Sequence, residues 1–174
     1  WSEIGHCAMR SGDIDLAEEL FHRAIDRRTM AKYINRPEAL QGLVDVAVAR
    51  GQMEEAQRRL DDLREYVRGR GMTNALPILL MSEAKVASVG GDHEAAMGFL
   101  DECLEELADK GFTRDELDVH AARVLASKAL GDADRVRSAR AGFEAVAREI
   151  LSRIGEEDLR AAFGQSVLDM VDEV

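Results

Sequence analysis

The feature of this sequence that most constrains its fold is a motif that returns about every forty residues. Four glycines mark the motif, and they lie 39, 40 and 40 residues apart: Gly12, Gly51, Gly91 and Gly131. In the first three copies an alanine follows the glycine by five residues and a large apolar residue follows it by nine, as Ala17 and Phe21 do in the first copy. An offset of four places two side chains on one face of a helix, so each copy predicts an amphipathic helix that begins just after its glycine.

A second apolar, helix-like run precedes each glycine, and each unit therefore predicts two helices joined by a tight turn. At the end of a helix, the left-handed backbone conformation is cheap only for glycine. An aspartate directly follows three of the glycines, where its carboxylate can cap the free N–H groups of the second helix: Asp13, Asp92 and Asp132. We thus expect four helix pairs, with boundaries near 1–29, 37–69, 76–111 and 115–154.

One helix pair cannot bury its apolar face alone, but stacked neighbouring pairs can. The repeat therefore predicts a single all-α domain over residues 1–174, built as an α-solenoid of antiparallel helix pairs. The end of the chain predicts a C-terminal capping helix over 157–174, because the last apolar face of a solenoid would otherwise be wet. Six apolar side chains of this segment are expected to face inward: Ile154, Leu159, Phe163, Val167, Leu168 and Val171.

The first repeat reads WSEIG over Trp1–Gly5, followed by Ala17, Phe21 and Ala24. It resembles the tetratricopeptide repeat family, whose pattern is W-x2-L-G-x2-Y followed by alanine, phenylalanine and alanine. The resemblance extends nearly to Ile154 and implies that the solenoid is a right-handed superhelix.

This chain departs from the family pattern in two respects. The family's usual period is about 34 residues, whereas here it is about 40, a difference that longer helices explain. The fourth repeat has Val136 and Arg140 in place of the alanine and the aromatic residue.

The long period and the ending I-x-x-x-D-L-R-A-A-F also resemble the C-terminal helical arrays of large bacterial signalling proteins, among them multidomain signal-transduction ATPases. The chain opens on Trp1 rather than on methionine, and so we expect it to be a fragment of a longer protein. It contains no phosphate-binding glycine loop, cyclase or helix-turn-helix segment, so the activities of such proteins are not assigned to it.

The charge and the apolar content exclude several classes of function. The net charge is −11, and residues 88–174 hold 20 acidic and 10 basic residues, against 14 and 13 in residues 1–87. Such a surface repels phosphate backbones, so we expect no nucleic-acid binding by this segment. No apolar run reaches the ~18 residues of a membrane span, so no membrane role is expected. Cys7 and Cys103 match no metal or redox spacing, are both expected to be buried, and suit a reducing cytoplasm.

The sequence contains no recognisable catalytic or cofactor motif. None of its four histidines stands in a metal-binding spacing, and no nucleotide fingerprint or nucleophile elbow is present. We therefore predict that the protein is not an enzyme and that it holds no cofactor or metal.

The resemblance implies a binding surface, because the first helices of tetratricopeptide pairs line the concave face of the superhelix. The family's groove positions fall here on eleven residues: His6, Met9, Gln41, Asp45, Val48, Met81, Lys85, Ser88, Ala121, Leu125 and Lys128. This mixture of apolar and singly charged side chains favours a peptide or a helix as the partner. At the position where chaperone-binding members carry an asparagine, the repeats have His6, Asp45, Lys85 and Leu125, so chaperone binding is disfavoured.

Two hypotheses follow from the sequence. The first is a non-enzymatic interaction or sensor module of a bacterial signalling or regulatory protein, in which a partner in the groove selects one curvature and shifts the state of attached domains. The alternative is a structural module that forms a homodimer through stacked end repeats. The dependence of molecular mass on concentration separates the two.

Overall fold

The computed structural model of the chain describes residues 1–26, 36–108, 113–159 and 161–164. Within these ranges the backbone consists of helices and short turns and contains no strand, which confirms the all-α class. The helices are α1 (Ser2–Arg10), α2 (Ile14–Asp26), α3 (Arg36–Ala49), α4 (Met53–Arg68), α5 (Leu76–Val89), α6 (His93–Leu107), α7 (Thr113–Leu130) and α8 (Ala133–Arg153). A 3-10 turn, Thr73–Ala75, precedes α5, and residues 157–159 and 161–164 are also helical.

The glycine turns are built as the sequence predicts. All four glycines have a positive φ, of 80°, 69°, 86° and 71° in chain order: Gly12, Gly51, Gly91 and Gly131. Three aspartate carboxylates accept hydrogen bonds of 3.0–3.1 Å from N–H groups in the first turn of the next helix: Asp13, Asp92 and Asp132. The second repeat has Gln52 at this position, and its side chain makes no capping hydrogen bond.

The chain divides into two compact units, Trp1–Gly91 and Asp92–Val174. The first contains α1 to α5 and the second α6 to α8. The boundaries of the repeats and of the whole domain stay predictions.

In the first unit, each helix packs against its neighbours in the chain, and the first helices of successive pairs also touch. Helix α2 packs against α1 and α3, and α4 packs against α3 and α5. Helix α3 also contacts α1 on one side and α5 on the other. The three first helices therefore form a row, α1–α3–α5.

Phe21 of α2 fills the junction between α1, α2 and α3. Its side chain is fully buried, and its ring lies against two glycines of the facing helices. A Cβ atom at Gly5 would approach the ring to 2.6 Å, and one at Gly42 to 2.3 Å. Only glycine at these two positions lets α1 and α3 come this close to the ring.

A second core of the first unit lies between α3, α4 and α5, and most of its members are leucines and valines such as Val44, Leu63 and Leu79. One buried charged side chain lies on α5. Glu83 is 3% exposed, and it accepts a 2.8 Å hydrogen bond from Nε of Arg64. Arg68 lies 3.5 Å from the other carboxylate oxygen of Glu83. The ion pair joins α4 to α5 and compensates a carboxylate that the core would otherwise leave unpaired.

In the second unit, the core lies between α7 and α8. Phe143 packs with Leu117, and Phe163 covers this cluster from the chain that follows α8. The ring of His120 lies against Gly142, where an added Cβ atom would come within 2.3 Å of it. Burial lowers the pKa of His120 below its ordinary value, and the nearby Arg123 cation adds to this.

Two predictions of burial are wrong. Cys7 is exposed, because α1 buries the face that carries Ser2, Gly5 and Ala8, and Cys7 lies on the other side. Leu159 is 57% exposed, because residues 155–159 all face solvent and packing resumes only at Phe163.

The other burial predictions have mixed outcomes. Cys103 is buried, as expected. Ile154 and Phe163 are half-buried. Most of the predicted capping helix, with Val167, Leu168 and Val171, lies outside the described residues.

Candidate functional site

The row of first helices in the first unit carries a groove with a cavity volume of about 490 Å³. Helix α1 lines it with three residues, α3 with three and α5 with two. These residues are His6, Met9, Arg10, Asp45, Val48, Ala49, Lys85 and Val89. We call this surface the first-unit groove.

The structure brings five of the predicted binding residues together in the first-unit groove: His6, Met9, Asp45, Val48 and Lys85. Three others lie on α3 and α5, are half-buried, and do not line it: Gln41, Met81 and Ser88. The remaining three belong to α7 in the second unit, where Leu125 and Lys128 are exposed and Ala121 is half-buried.

Three groove residues were missed by the sequence reasoning: Arg10, Ala49 and Val89. Each lies four residues after a predicted one, on the same helical face, namely after His6, Asp45 and Lys85. Each also directly follows the last predicted residue of its helix, namely Met9, Val48 or Ser88. Adding the residue that lies one helical turn after His6, Asp45 and Lys85 to the predicted set would have found all three.

Apolar side chains make up half of the groove lining: Met9, Val48, Ala49 and Val89. Val89 is 53% exposed, and it is among the most exposed large apolar residues of the described chain. Covering such side chains with an apolar partner group removes them from water, which is the main driving force for association.

Asp45 and Lys85 face each other across α3 and α5. Nζ of Lys85 donates a 2.5 Å hydrogen bond to Oδ1 of Asp45, and the two residues are 40 positions apart, one repeat period. The Asp45 side chain is 14% exposed. Within the groove, these two charges therefore largely cancel each other.

His6 forms the floor of the groove beside the buried Phe21. The two rings meet edge to face, with their centroids 5.0 Å apart. Burial lowers the pKa of His6 below its ordinary value, and the Asp45 carboxylate opposes this shift only in part. His6 is therefore predominantly neutral at pH 7.

Arg10 is the remaining charged residue of the groove, and it is exposed. Its Nη2 donates a 3.1 Å hydrogen bond to Sγ of Cys7. No carboxylate among the described residues forms an ion pair with it. With Lys85 cancelled by Asp45, the groove carries one uncompensated positive charge.

Across the described ranges, no group of three or more histidine, cysteine, aspartate or glutamate side chains is placed to hold a metal ion. Among the helices that the structure describes, none has both the length and the apolar character that crossing a membrane requires.

The paired helices, the left-handed glycine turns and the row of first helices define an α-helical repeat protein. Residues 8–71 match the family model of the tetratricopeptide repeat. The match spans α2, α3 and α4 and includes five of the eight groove residues. Repeats of this family generally mediate protein–protein interaction. A search of curated proteins finds no match to this chain.

Proposed function

We propose that the protein is a non-enzymatic interaction module that binds a peptide or a partner domain in the first-unit groove. One observation carries the proposal: three successive first helices together present an open groove with exposed apolar side chains. A partner segment lying across α1, α3 and α5 would bury these side chains and meet the single charges beside them. The groove thus supplies both the affinity and the orientation that a peptide site needs.

The cellular setting is part of the same proposal. The resemblance of the chain's end to bacterial signalling arrays supports a regulatory module, in which partner binding shifts the state of attached domains. Both cysteines are free thiols, which suits a reducing cytoplasm.

Three exposed apolar residues allow a sharp test of the groove. Val89 lines it, Leu16 on α2 does not, and Leu125 lies on α7 of the second unit. Their exposed fractions are 53%, 43% and 50%, so an asparagine at each removes a comparable exposed side chain with little effect on the core. Peptides are first selected on the immobilised full chain from a random display library, and their affinities are then measured by calorimetry.

The proposal predicts that Val89→Asn weakens peptide binding several-fold and that Leu16→Asn leaves it unchanged. A loss with Leu125→Asn as well would show that α7 of the second unit also contacts the peptide. Equal affinities for Val89→Asn and the unchanged chain would remove the first-unit groove as the site. The double variant Asp45→Ala, Lys85→Ala keeps the net charge constant, and a loss of affinity there would place the partner over the ion pair.

Self-association is the second candidate function, and exposed apolar residues at the first helix pair support it. Trp1, Ile4 and Leu16 all belong to this pair, and all three are exposed. A second copy that stacks on this pair would cover them. Light scattering of the chain over a range of concentrations tests this, because a dimer that Ile4→Asn dissociates supports stacking and a constant monomer mass excludes it.

A further inference from the structure

We infer that the first-unit groove selects partner segments in which a carboxylate side chain lies beside apolar anchors, and that this carboxylate pairs with Arg10. The inference rests on the proposed function and adds the chemistry of the partner. The partner class is an acidic, amphipathic peptide.

The balance of charge within the groove favours an acidic partner group. Lys85 is bonded to Asp45 at 2.5 Å, and His6 is predominantly neutral at pH 7. Only Arg10 then has a charge that nothing in the groove compensates. A partner carboxylate gains an ion pair there, whereas a partner cation would meet repulsion from Arg10.

Arg10 differs from other arginines of the same unit in its bonding partners. Arg50 bonds the carboxylates of both Asp15 and Glu18, at 2.6 and 2.7 Å. Arg64 bonds Glu83. Arg10 has no such bond among the residues that the structure describes, and its guanidinium meets only the weak sulfur acceptor of Cys7, at 3.1 Å. Most of its five N–H donors therefore remain free for a carboxylate, which guanidinium groups bind with two parallel hydrogen bonds.

Arg10 also lies at the right place in the groove to meet an acidic side chain. Arg10 follows Met9 directly, and it lies one helical turn after His6. The cation thus borders the apolar lining. A peptide helix that places apolar side chains over Met9, Val48 and Val89 can reach Arg10 with an acidic side chain one turn away. The chain as a whole has a net charge of −11, so long-range forces do not favour an acidic partner, and the preference must come from this short-range contact.

The experiment uses the full chain and random peptides that are amidated at their C-termini, so that any carboxylate comes from a side chain. Peptides selected on the unchanged chain are expected to be enriched in aspartate or glutamate within one helical turn of leucine, isoleucine or phenylalanine. The best peptide is then compared with its glutamate-to-glutamine version by calorimetry, on the unchanged chain and on Arg10→Gln. Arg70→Gln is the matched control, because Arg70 is an exposed arginine of the same unit that lies outside the groove.

We expect the glutamate peptide to bind the unchanged chain about threefold to fivefold more tightly than the glutamine peptide, as an ion pair at an exposed arginine provides. The Arg10→Gln variant should bind the glutamate and glutamine peptides equally well, whereas Arg70→Gln should keep the preference for glutamate. The Arg10→Glu variant should bind a lysine peptide more tightly than the glutamate peptide. The inference would be overturned if the peptides lose affinity with Val89→Asn but the glutamate and glutamine peptides bind the unchanged chain equally well. The proposed function would then still stand. Selected peptides indifferent to Val89→Asn, or no selected peptide at all, would count against both.

Discussion

Replacing Gly42 with alanine tests the packing around Phe21 most directly. The added Cβ atom would lie 2.3 Å from the ring, more than 1 Å inside ordinary contact, and the nearest three atoms are all ring carbons. The ring is fully buried and also lies against Gly5, so a shift away from Gly42 must displace other packed atoms. We therefore place the cost of overpacking at the upper end of the usual range, about 3 kcal/mol.

Alanine also favours the helix over glycine, and this gain opposes the clash. The gain is about 1 kcal/mol in a helix interior, so Gly42→Ala should lower the free energy of unfolding by about 2 kcal/mol. Gly98 in α6 is the matched control, because a Cβ atom there meets nothing within 4 Å. Gly98→Ala should therefore stabilise the protein by up to about 1 kcal/mol.

The assay is urea unfolding followed by circular dichroism and by the fluorescence of Trp1, the only tryptophan, which reports on the first unit. Phe21→Leu supplies the second arm, since a smaller side chain gives the new methyl group room. The penalty of Gly42→Ala should shrink in the Phe21→Leu background, which is a coupling between two touching residues. A Gly42→Ala protein as stable as the unchanged chain, or a penalty that Phe21→Leu leaves intact, would refute the packing.

Three further predictions concern the helix ends, the buried carboxylate and the histidine of the second unit. Gln52→Asp should supply the cap that the second repeat lacks and raise the free energy of unfolding in urea by about 0.5–1 kcal/mol. Arg64→Gln leaves the buried Glu83 with a weaker partner and should cost about 3 kcal/mol in the same assay, whereas Arg23→Gln, at an exposed ion pair, should cost at most about 1 kcal/mol. The lowered pKa of His120 means that the unfolded chain binds a proton more readily, so stability should be full above about pH 6.5 and decline below it. In urea titrations across this range, His120→Asn should flatten the decline, and an unchanged slope would exclude His120 as its source.

Features that depend on neighbouring residues were predictable from the sequence. The turn glycines and the capping aspartates act within one or two helical turns, so the residue type and its place in the motif determined the conformation at Gly12 and the hydrogen bond at Asp92. The groove residues on the first helices followed from a resemblance combined with helical periodicity. Arg10 directly follows the predicted Met9, and it was missed because it is not one of the family's groove positions.

Features that depend on packing between distant segments were not predictable in this way. A cysteine side chain is apolar enough to be buried, so the residue type of Cys7 does not predict that it is exposed. Its exposure follows from which face of α1 packs against the neighbouring helices. The pairing of Asp45 with Lys85 joins residues one period apart, and nothing local distinguishes it from two independent surface charges. Burial and ion pairing are properties of neighbours in space, and a single sequence does not reveal them.

The pairing of Asp45 with Lys85 also decides which residue can set the charge preference of the groove. If these two charges were independent, Asp45 on α3 would favour a basic partner group and Lys85 on α5 an acidic one. The groove would then favour neither charge in its partner. Since they are bonded to each other, a partner must break a 2.5 Å contact to use either one, and little energy is gained by the exchange. Arg10 offers its charge without such a cost. Specificity for acidic segments should therefore follow substitutions at Arg10 and respond only weakly to the paired removal of Asp45 and Lys85.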